Sequence, residues 1–327
     1  MSRPEVVAIV GAGMVGRAWA AVLARGGHEV RLFDDQAGAA LRALDDIDGM
    51  LALYEEGGLL GDLDRAAALA LVHPTGSLAE AVSDAYYVQE CVPEIVEVKR
   101  SVTSAIADLS LPTAILASST SGLVPSSFSA EATGRHRCLV VHPINPVHLH
   151  SLVEVVPAPW SADDVVSRAL LLLGGAGLQP VRLNREVDGF LVNRLQGALL
   201  QEAFRLVAEG VASAADIDTA VRSGLAPRWS FMGPFETIDL NAPDGIADYV
   251  ERYEPMYRHL AAQQGAVVDW SEALASGLLE QRRTALPLAG LPERRAWRDQ
   301  ELLAFLIHRN RSGEPDSTAN PDDGRGA

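Results

Sequence analysis

The sequence predicts an α/β chain: an N-terminal doubly wound parallel sheet followed by an all-helical C-terminal domain. Three observations predict it. A short continuous apolar run, residues 6–10, leads into a glycine-rich turn. Strand-like and helix-like stretches then alternate as far as about residue 187. Beyond that point the periodicity is helical alone. At 327 residues the chain is long enough for two domains. The expected divisions are 1–187 for the α/β domain, 188–311 for the helical domain, and 312–327 for a disordered tail.

The elements follow in order. "VVAIV" is apolar throughout, as a strand buried on both faces must be. "RAWAAVLARGG" has helical spacing at Ala18, Val22 and Leu23 and stops at Gly26 and Gly27. "HEVRLFDD" is a second strand that ends on acid. Residues 37–70 are rich in helix. "AYYVQECV" is a strand, "EVKRSVTSAIADL" a helix, and "TAILASST" and "CLVVH" are further strands. The helical domain opens with "DGFLVNRLQGALLQEAFRLVAEG", one long helix with a stripe at Phe190, Leu195, Leu199 and Leu206. A second helix follows, with Ser213 as its N-cap. The tail "NRSGEPDSTANPDDGRGA" has too little apolar content to fold.

Composition excludes several functions. A net charge of −16 makes nucleic acid and anionic membranes poor partners. No apolar run approaches the roughly 20 residues that span a bilayer. The opening "MSRPEVVAIV" has no signal-segment pattern, so a soluble, cytoplasmic protein is expected. Cys91 and Cys138 are too few and too scattered for a disulfide framework or a zinc cluster and read as packed small hydrophobes. His148 and His150 have zinc-like spacing, but no cysteine or acid cluster surrounds them, and no metal site is expected.

Gly11, Gly13 and Gly16 form G-x-G-x-x-G, with Met14 and Val15 inside it. The pattern is weak alone. Between a strand and a helix, with an acid closing the next strand, it marks a Rossmann-type dinucleotide site. Gly11 allows the tight turn, Gly13 lets the backbone approach a pyrophosphate, and Gly16 lets helix and strand pack closely. The helix N-terminus offers N–H groups to the anion. Asp34 is placed to accept from the adenosine ribose hydroxyls. With Asp35 it repels a 2′-phosphate, so NAD is expected rather than NADP.

The stretch "LVVHPINPVHLHSLVEVVPAPW" holds a histidine at the end of one apolar run and a glutamate inside the next. A carboxylate among Leu152, Val153, Val155 and Val156 is costly to bury alone. His142 is its expected partner. Oxidising an alcohol removes a hydride from carbon and a proton from oxygen, and histidine is the natural base for that proton. Glu154 on one ring nitrogen would fix the tautomer and stabilise the imidazolium.

"GAGMVG", "FDD", "QECVPEIVEVK", "SSTSGL", "HPINP", "LVEVVP" and "DGFLVNRL" together resemble, in order and spacing, the 3-hydroxyacyl-CoA dehydrogenase superfamily. "LVEVVPAPW", "GLAPRWSFMGPFETIDLNA" and "ERRAWRD" are most similar to its lambda-crystallin and L-gulonate 3-dehydrogenase branch. The resemblance spans roughly residues 5 to 305. It implies His142 and Glu154 as the catalytic pair, Ser121 and Asn193 beside the reacting oxygen, and Asn145 close by. It also implies that Glu94 and Lys99 line the nicotinamide side of the cofactor. Ser119 stands at a cofactor position where the family often has asparagine. A homodimer is the implied assembly.

Substrate class follows from charge. "LRALDDIDGMLALYEEGGLLGDLDR" carries Asp45, Asp46, Asp48, Glu55 and Glu56 where the acyl-CoA members of the family have a basic hairpin, and such a face repels a phosphorylated carrier. A small 3-hydroxy acid needs one carboxylate anchor, and Arg228 is the candidate, because a guanidinium binds a carboxylate through two parallel bonds. The expected activity is NAD-dependent oxidation of an L-gulonate-like acid. The alternatives are another small 3-hydroxy compound (carnitine-like or a ring-bearing alcohol), a 3-hydroxyacyl-CoA, or a crystallin-like protein that binds dinucleotide without catalysis.

Overall fold

The computed structural model describes residues 4–312. The described residues form two compact units, 4–191 with 295–312, and Val192–Arg294.

The first unit is built on one eight-stranded sheet. Its strands are β1 (Val6–Val10), β2 (Glu29–Phe33), β3 (Val72–Pro74), β4 (Tyr87–Glu90), β5 (Ile115–Ser118), β6 (Cys138–Pro143), β7 (Leu152–Pro157) and β8 (Gln179–Arg182), in the order β3-β2-β1-β4-β5-β6-β7-β8. Strands β1 to β6 are parallel. β7 then runs antiparallel to β6, and β8 pairs parallel with β7. The sheet is thus the expected doubly wound, mostly parallel one, with a single reversal at β7. Residues 144–151 are too few for a crossover helix, so the chain can only turn back beside β6. Strands β3 and β8 escaped the sequence reading because both are short edge strands carrying proline, "VHP" and "QPVR", with no apolar run to reveal them.

Helices cover both faces of the sheet: α1 (Met14–Arg25), α2 (Ala39–Glu56), α3 (Arg65–Ala70), α4 (Leu78–Val82), α5 (Val96–Leu109), α6 (Ser126–Ser129) and α7 (Asp163–Gly175). Val7 and Ile9 point into a core with Trp19, Leu23, Ile47, Leu51 and Leu173. Ala8 and Val10, one pleat away, point into a second core with Val82, Val88, Ile106 and Leu116. Burial of both faces is why "VVAIV" shows no alternation.

The second unit contains α8 (Val192–Ala208), α9 (Ala214–Thr219), α10 (Ala226–Trp229), α11 (Pro234–Leu240), α12 (Gly245–Gln263), α13 (Trp270–Ala273) and α14 (Leu279–Ala285). Ser213 caps α9 by accepting from the Asp216 N–H. Two expectations change here. The long helix begins at Val192, not Asp188, because Gly189 and Phe190 have φ of +75° and +55° and reverse the chain. Phe190 therefore leaves the expected helical stripe and is buried with Phe128, Val140, Val156 and Leu183 of the first unit. The last helix, α15 (Leu291–Ser312), returns residues 295 onward to the first unit instead of completing the helical domain. A Cβ at Gly57 would lie 3.1 Å from Ile307, so this helix packs closely behind α2. The tail expected to be disordered lies, beyond Ser312, outside the described residues. Among those residues no helix is long and apolar enough to cross a membrane, and no group of three or more His, Cys, Asp or Glu could hold a metal.

Both cysteines are free, and burial pushes each thiol up to about 12. Burial acts oppositely on His28, His148 and His150, holding each below the ordinary 6.5. His28 accepts the Glu5 N–H on Nδ1 at 3.2 Å, and its Nε2 has no partner among the described residues. A proton on Nδ1 would displace that bond. Because the unfolded chain takes up these protons first, the stability these groups permit is complete above about pH 6.5 and falls as pH drops through 6.5 towards the folded-state values. Thermal midpoints should be flat above pH 7 and decline below 6.5, with a shallower decline in His28→Gln. Identical slopes in the two proteins would remove His28 as a contributor.

Candidate active site

The strand order reverses at β1, whose neighbours are β2 and β4, and ligands of such sheets bind outside the carboxyl ends at that point. Gly11 occupies it with φ +106°, and a Cβ there would lie 2.7 Å from the Cys91 carbonyl oxygen. A Cβ on Gly16 would lie 1.8 Å from the Gly11 carbonyl oxygen, so α1 crosses β1 closely enough to require glycine. Gly13 differs: nothing lies within 4 Å of where its Cβ would be, which leaves its backbone open to a ligand. No side chain caps α1, no acid sits in its first turn, and Met14 is 75% exposed, with Val15 half-buried beside it. The first-turn N–H groups are therefore available to an anion. Asp34 follows β2, with Oδ2 accepting from Ala12 N–H at 2.7 Å and Oδ1 from Gln36 N–H at 2.9 Å. The carboxylate is thus fixed against the glycine turn. This cradle fits a dinucleotide with a free 2′-hydroxyl.

The reversal of β7 explains the spacing of His142 and Glu154. In the antiparallel β6–β7 pair the two residues stand directly opposite each other. His142 Nδ1 is 2.6 Å from Glu154 Oε2, and Glu154 is 1% exposed. Glu154 Oε1 accepts from the Leu191 N–H, also at 2.6 Å. The carboxylate therefore spends one oxygen on the imidazole and one on the backbone just past Phe190. The Phe190 ring lies 5.4 Å from the His142 ring, centroid to centroid. Phe190 adopts a left-handed backbone that a bulky residue rarely tolerates. The reversal at Gly189–Phe190 delivers both the Leu191 N–H and this ring to the pair. With a carboxylate on Nδ1, the neutral imidazole carries its proton there and leaves the Nε2 lone pair to accept.

Between the glycine turn and His142 lie the ends of β4 and β5. Lys99 is 1% exposed, its Nζ 3.0 Å from Glu90 Oε1 and 3.4 Å from Glu94 Oε2. Glu94 is the accessible member of this group. Its Oε1 accepts from the Thr120 hydroxyl and from the N–H groups of Ser121 (3.0 Å) and Gly122 (3.3 Å). Burial works against the Glu94 carboxylate, but the Thr120 hydroxyl, the Lys99 ammonium and the Ser121 N–H outweigh it and hold its pKa below the ordinary range. Ser121 is exposed on the same loop. Ser119, one turn back, accepts from Gln89 Nε2 at 2.6 Å and lies 3.2 Å from the Cys91 thiol. Its hydroxyl is thus engaged within the β4–β5 layer. Asn145 is exposed on the loop after β6.

Two expected residues belong to the second unit. Asn193 lies in the first turn of α8. Arg228 lies on α10, after a π-helical turn at Ala220–Leu225 of the kind often found at functional sites. Arg228 lines a cavity of about 430 Å³ with Leu199, Leu206, Ile217 and Leu225, and its Nε is buried without a partner among the described residues. In the acidic stretch, Asp46 pairs with Arg17 and Asp48 with Arg65, so part of its charge is already compensated.

Glu90, Thr120 and Phe190 escaped the sequence reading of the site. Glu90 carried the same signal as Glu154, a carboxylate inside an apolar strand, and could have been found by it. Phe190 could not, because only the left-handed turn shows that it faces inward.

Taken together, a dinucleotide cradle and a base of fixed tautomer can support alcohol oxidation. Residues 6–187 match the family described as "3-hydroxyacyl-CoA dehydrogenase, NAD binding domain" and residues 189–274 that described as "3-hydroxyacyl-CoA dehydrogenase, C-terminal domain". The chain is 40% identical over 312 residues to the lambda-crystallin homolog of Bos taurus, covering 94% of this chain and 97% of that protein. It is 36% identical over 305 residues to an L-carnitine dehydrogenase of Pseudomonas aeruginosa, covering 92% and 93%. Among solved structures it is similar to 5-formyl-3-hydroxy-2-methylpyridine 4-carboxylic acid 5-dehydrogenase, an NAD+-dependent dismutase, with a TM-score of 0.80 and 28% identity over 96% of this chain and all of that one.

Proposed function

The chain belongs to the 3-hydroxyacyl-CoA dehydrogenase family of NAD-dependent oxidoreductases, and from that premise we propose that it oxidises a small 3-hydroxy acid, L-gulonate or a close analogue, to the 3-keto acid. The cross-strand pair of His142 and Glu154 at 2.6 Å carries this reading. Bound NAD supplies the acceptor for the hydride that leaves the carbinol carbon. His142 Nε2 takes the hydroxyl proton as that hydride departs. Glu154 holds the ring by Nδ1 and balances the positive charge that then forms. Phe190 packs against the ring and limits its movement. Ser121 and Asn193 donate to the oxygen as it becomes a carbonyl, with Asn145 on the substrate side. Gly11, Gly13, Met14, Val15, Gly16 and Asp34 hold the adenine-ribose and pyrophosphate half of the cofactor. Glu94, Lys99 and Ser119 lie towards its nicotinamide half.

Arg228 anchors the substrate carboxylate. An unpartnered, buried guanidinium Nε, in a cavity whose other lining is apolar apart from Glu202, itself paired with Arg205, is the donor that such an anion would satisfy. The acidic residues of α2 and the single-carboxylate anchor favour a small acid over an acyl-CoA. A carnitine-like substrate is the second reading, supported by the L-carnitine dehydrogenases among the relatives. NADH formation measured over a panel of 3-hydroxy acids, with L-gulonate, L-carnitine and 3-hydroxybutyryl-CoA included, separates these readings. Silence across the panel would leave dinucleotide binding without catalysis. Arg228→Met should raise KM at least tenfold for acids and leave uncharged alcohols unaffected. Equal effects on both would remove Arg228 as the anchor.

The working form is a cytoplasmic homodimer. Among the described residues of the second unit only Ala214, Thr237 and Ala273 are buried, while Leu195, Phe235 and Leu240 are each more than 60% exposed. So much apolar surface is what a second copy would cover. Sedimentation that gives a monomer at micromolar concentration, or fractionation that finds the protein outside the cytoplasm, would reject the respective part.

A further inference from the structure

Glu90 is a buried carboxylate for which the reaction above has no use. It ends β4 and is 2% exposed. Its Oε1 accepts from the Val92 N–H at 2.6 Å and from Lys99 Nζ at 3.0 Å, and its Oε2 accepts from the Ser118 hydroxyl at 2.5 Å and from Lys99 at 3.2 Å. Every partner donates, so both oxygens are used as acceptors. The adjacent cavity, lined in part by Glu90, Thr103 and Ser118, is about 10 Å³ and too small for bulk water. Charge is therefore weakly screened here.

The topology locates this group relative to a bound dinucleotide. Asp34 fixes the adenosine side at the end of β2. A dinucleotide lying across the strand ends must then run over β1 to β4 and β5, towards His142 at the end of β6. Its nicotinamide end would then lie over Glu90, Glu94 and the Ser118–Gly122 loop. The charges at that end are two carboxylates, Glu90 and Glu94, sharing one ammonium, Lys99.

We propose that Glu90 is a positioning residue that sets the charge at the nicotinamide end of the cleft. By taking Lys99 as its own partner, it leaves the three-residue network one negative charge in excess. That excess favours the cationic oxidised ring over the neutral reduced one. Lys99 sits 0.4 Å nearer to Glu90 than to Glu94 (3.0 against 3.4 Å), and it is Glu94 whose carboxylate reaches the surface. The chain thereby tunes which form of the cofactor it holds more tightly, through a residue that touches neither form. The inference rests on the dinucleotide reading of the cleft but not on the identity of the hydroxy acid.

Dissociation constants for NAD and NADH, measured by calorimetry and NADH fluorescence without substrate, test it. Glu90→Gln keeps the shape and removes the charge. The ratio Kd(NAD)/Kd(NADH) should rise about fivefold, as expected for losing one charge across a partly screened distance. Glu94→Gln, at an accessible position, should shift the ratio in the same direction and serves if Glu90→Gln does not fold. The double variant Glu90→Gln/Lys99→Met restores the excess of one negative charge, so its ratio should return towards that of the parent. A purely structural role would make this protein worse than either single change. Equal weakening of both nucleotides in the single variants, or an unchanged ratio, overturns the proposal and leaves the dehydrogenase reading intact. A parent chain that binds neither nucleotide overturns both. A shifted ratio with a silent substrate panel supports the proposal and removes only the substrate assignment.

Discussion

His142→Ala is expected to lower turnover by roughly three orders of magnitude, the middle of what a positioned general base contributes, while the dissociation constant for NADH changes less than about twofold. The separation is possible because His142 sits near the end of β6, three strands from the glycine turn after β1. Removing the imidazole leaves Glu154 still accepting from the Leu191 N–H, so part of its hydrogen bonding survives. Glu154→Gln should be nearly as damaging to turnover. An amide on Nδ1 can present its N–H there, which favours the other tautomer and places the ring proton on Nε2, where the substrate hydroxyl needs an acceptor. It should also change the pH dependence of kcat, a readout that a packing defect alone would not move. Stopped-flow measurement of NADH formation, beside NADH fluorescence titration, separates the two steps. If His142→Ala abolishes nucleotide binding as well, the residue holds the fold or the cofactor and is not the base.

Gly16→Ala is expected to abolish nucleotide binding and cost at least about 2–3 kcal/mol of stability, the upper part of the usual range for forcing atoms into a packed contact. The new Cβ would lie 1.8 Å from the Gly11 carbonyl oxygen and 3.3 Å from Ile9 Cγ2. Backbone cannot yield as a side-chain tip does. Helix α1 would have to lift away from β1, pulling Trp19 and Leu23 from the core they share with the sheet. Gly13→Ala is the control. With nothing within 4 Å of its Cβ, it should fold with a near-parental melting temperature yet bind NAD at least tenfold more weakly, because the methyl intrudes where the pyrophosphate approaches. Calorimetric melting and NADH titration of both variants check this. Normal binding by Gly16→Ala would mean the turn is looser than its geometry requires.

The first half of the fold was legible because its signals are local. Val6–Val10, the three glycines and Asp34 lie within one strand–turn–helix–strand unit, and each residue type there answers a steric or electrostatic demand of its immediate neighbours. The partnership of His142 with Glu154 was legible for another reason: a carboxylate inside "LVEVVP" had to have a partner, and few were available. Glu90 sent the same signal from "YYVQECV" and went unread, because Lys99, its partner, lies on the following helix and no hairpin pattern joins them.

By itself, then, the sequence determined the dinucleotide turn, the preference for a free 2′-hydroxyl and the identity of the acid that holds the histidine, since these follow from residue type and short-range geometry. Only the tertiary structure decided that β7 runs backwards, that Phe190 leaves its helix to face His142, that α15 returns to the first unit, and that Lys99 is shared by two carboxylates. Each of these depends on which distant surface a segment finds to bury its apolar face or neutralise its charge. That choice is made by packing across the whole chain, and no local pattern encodes it.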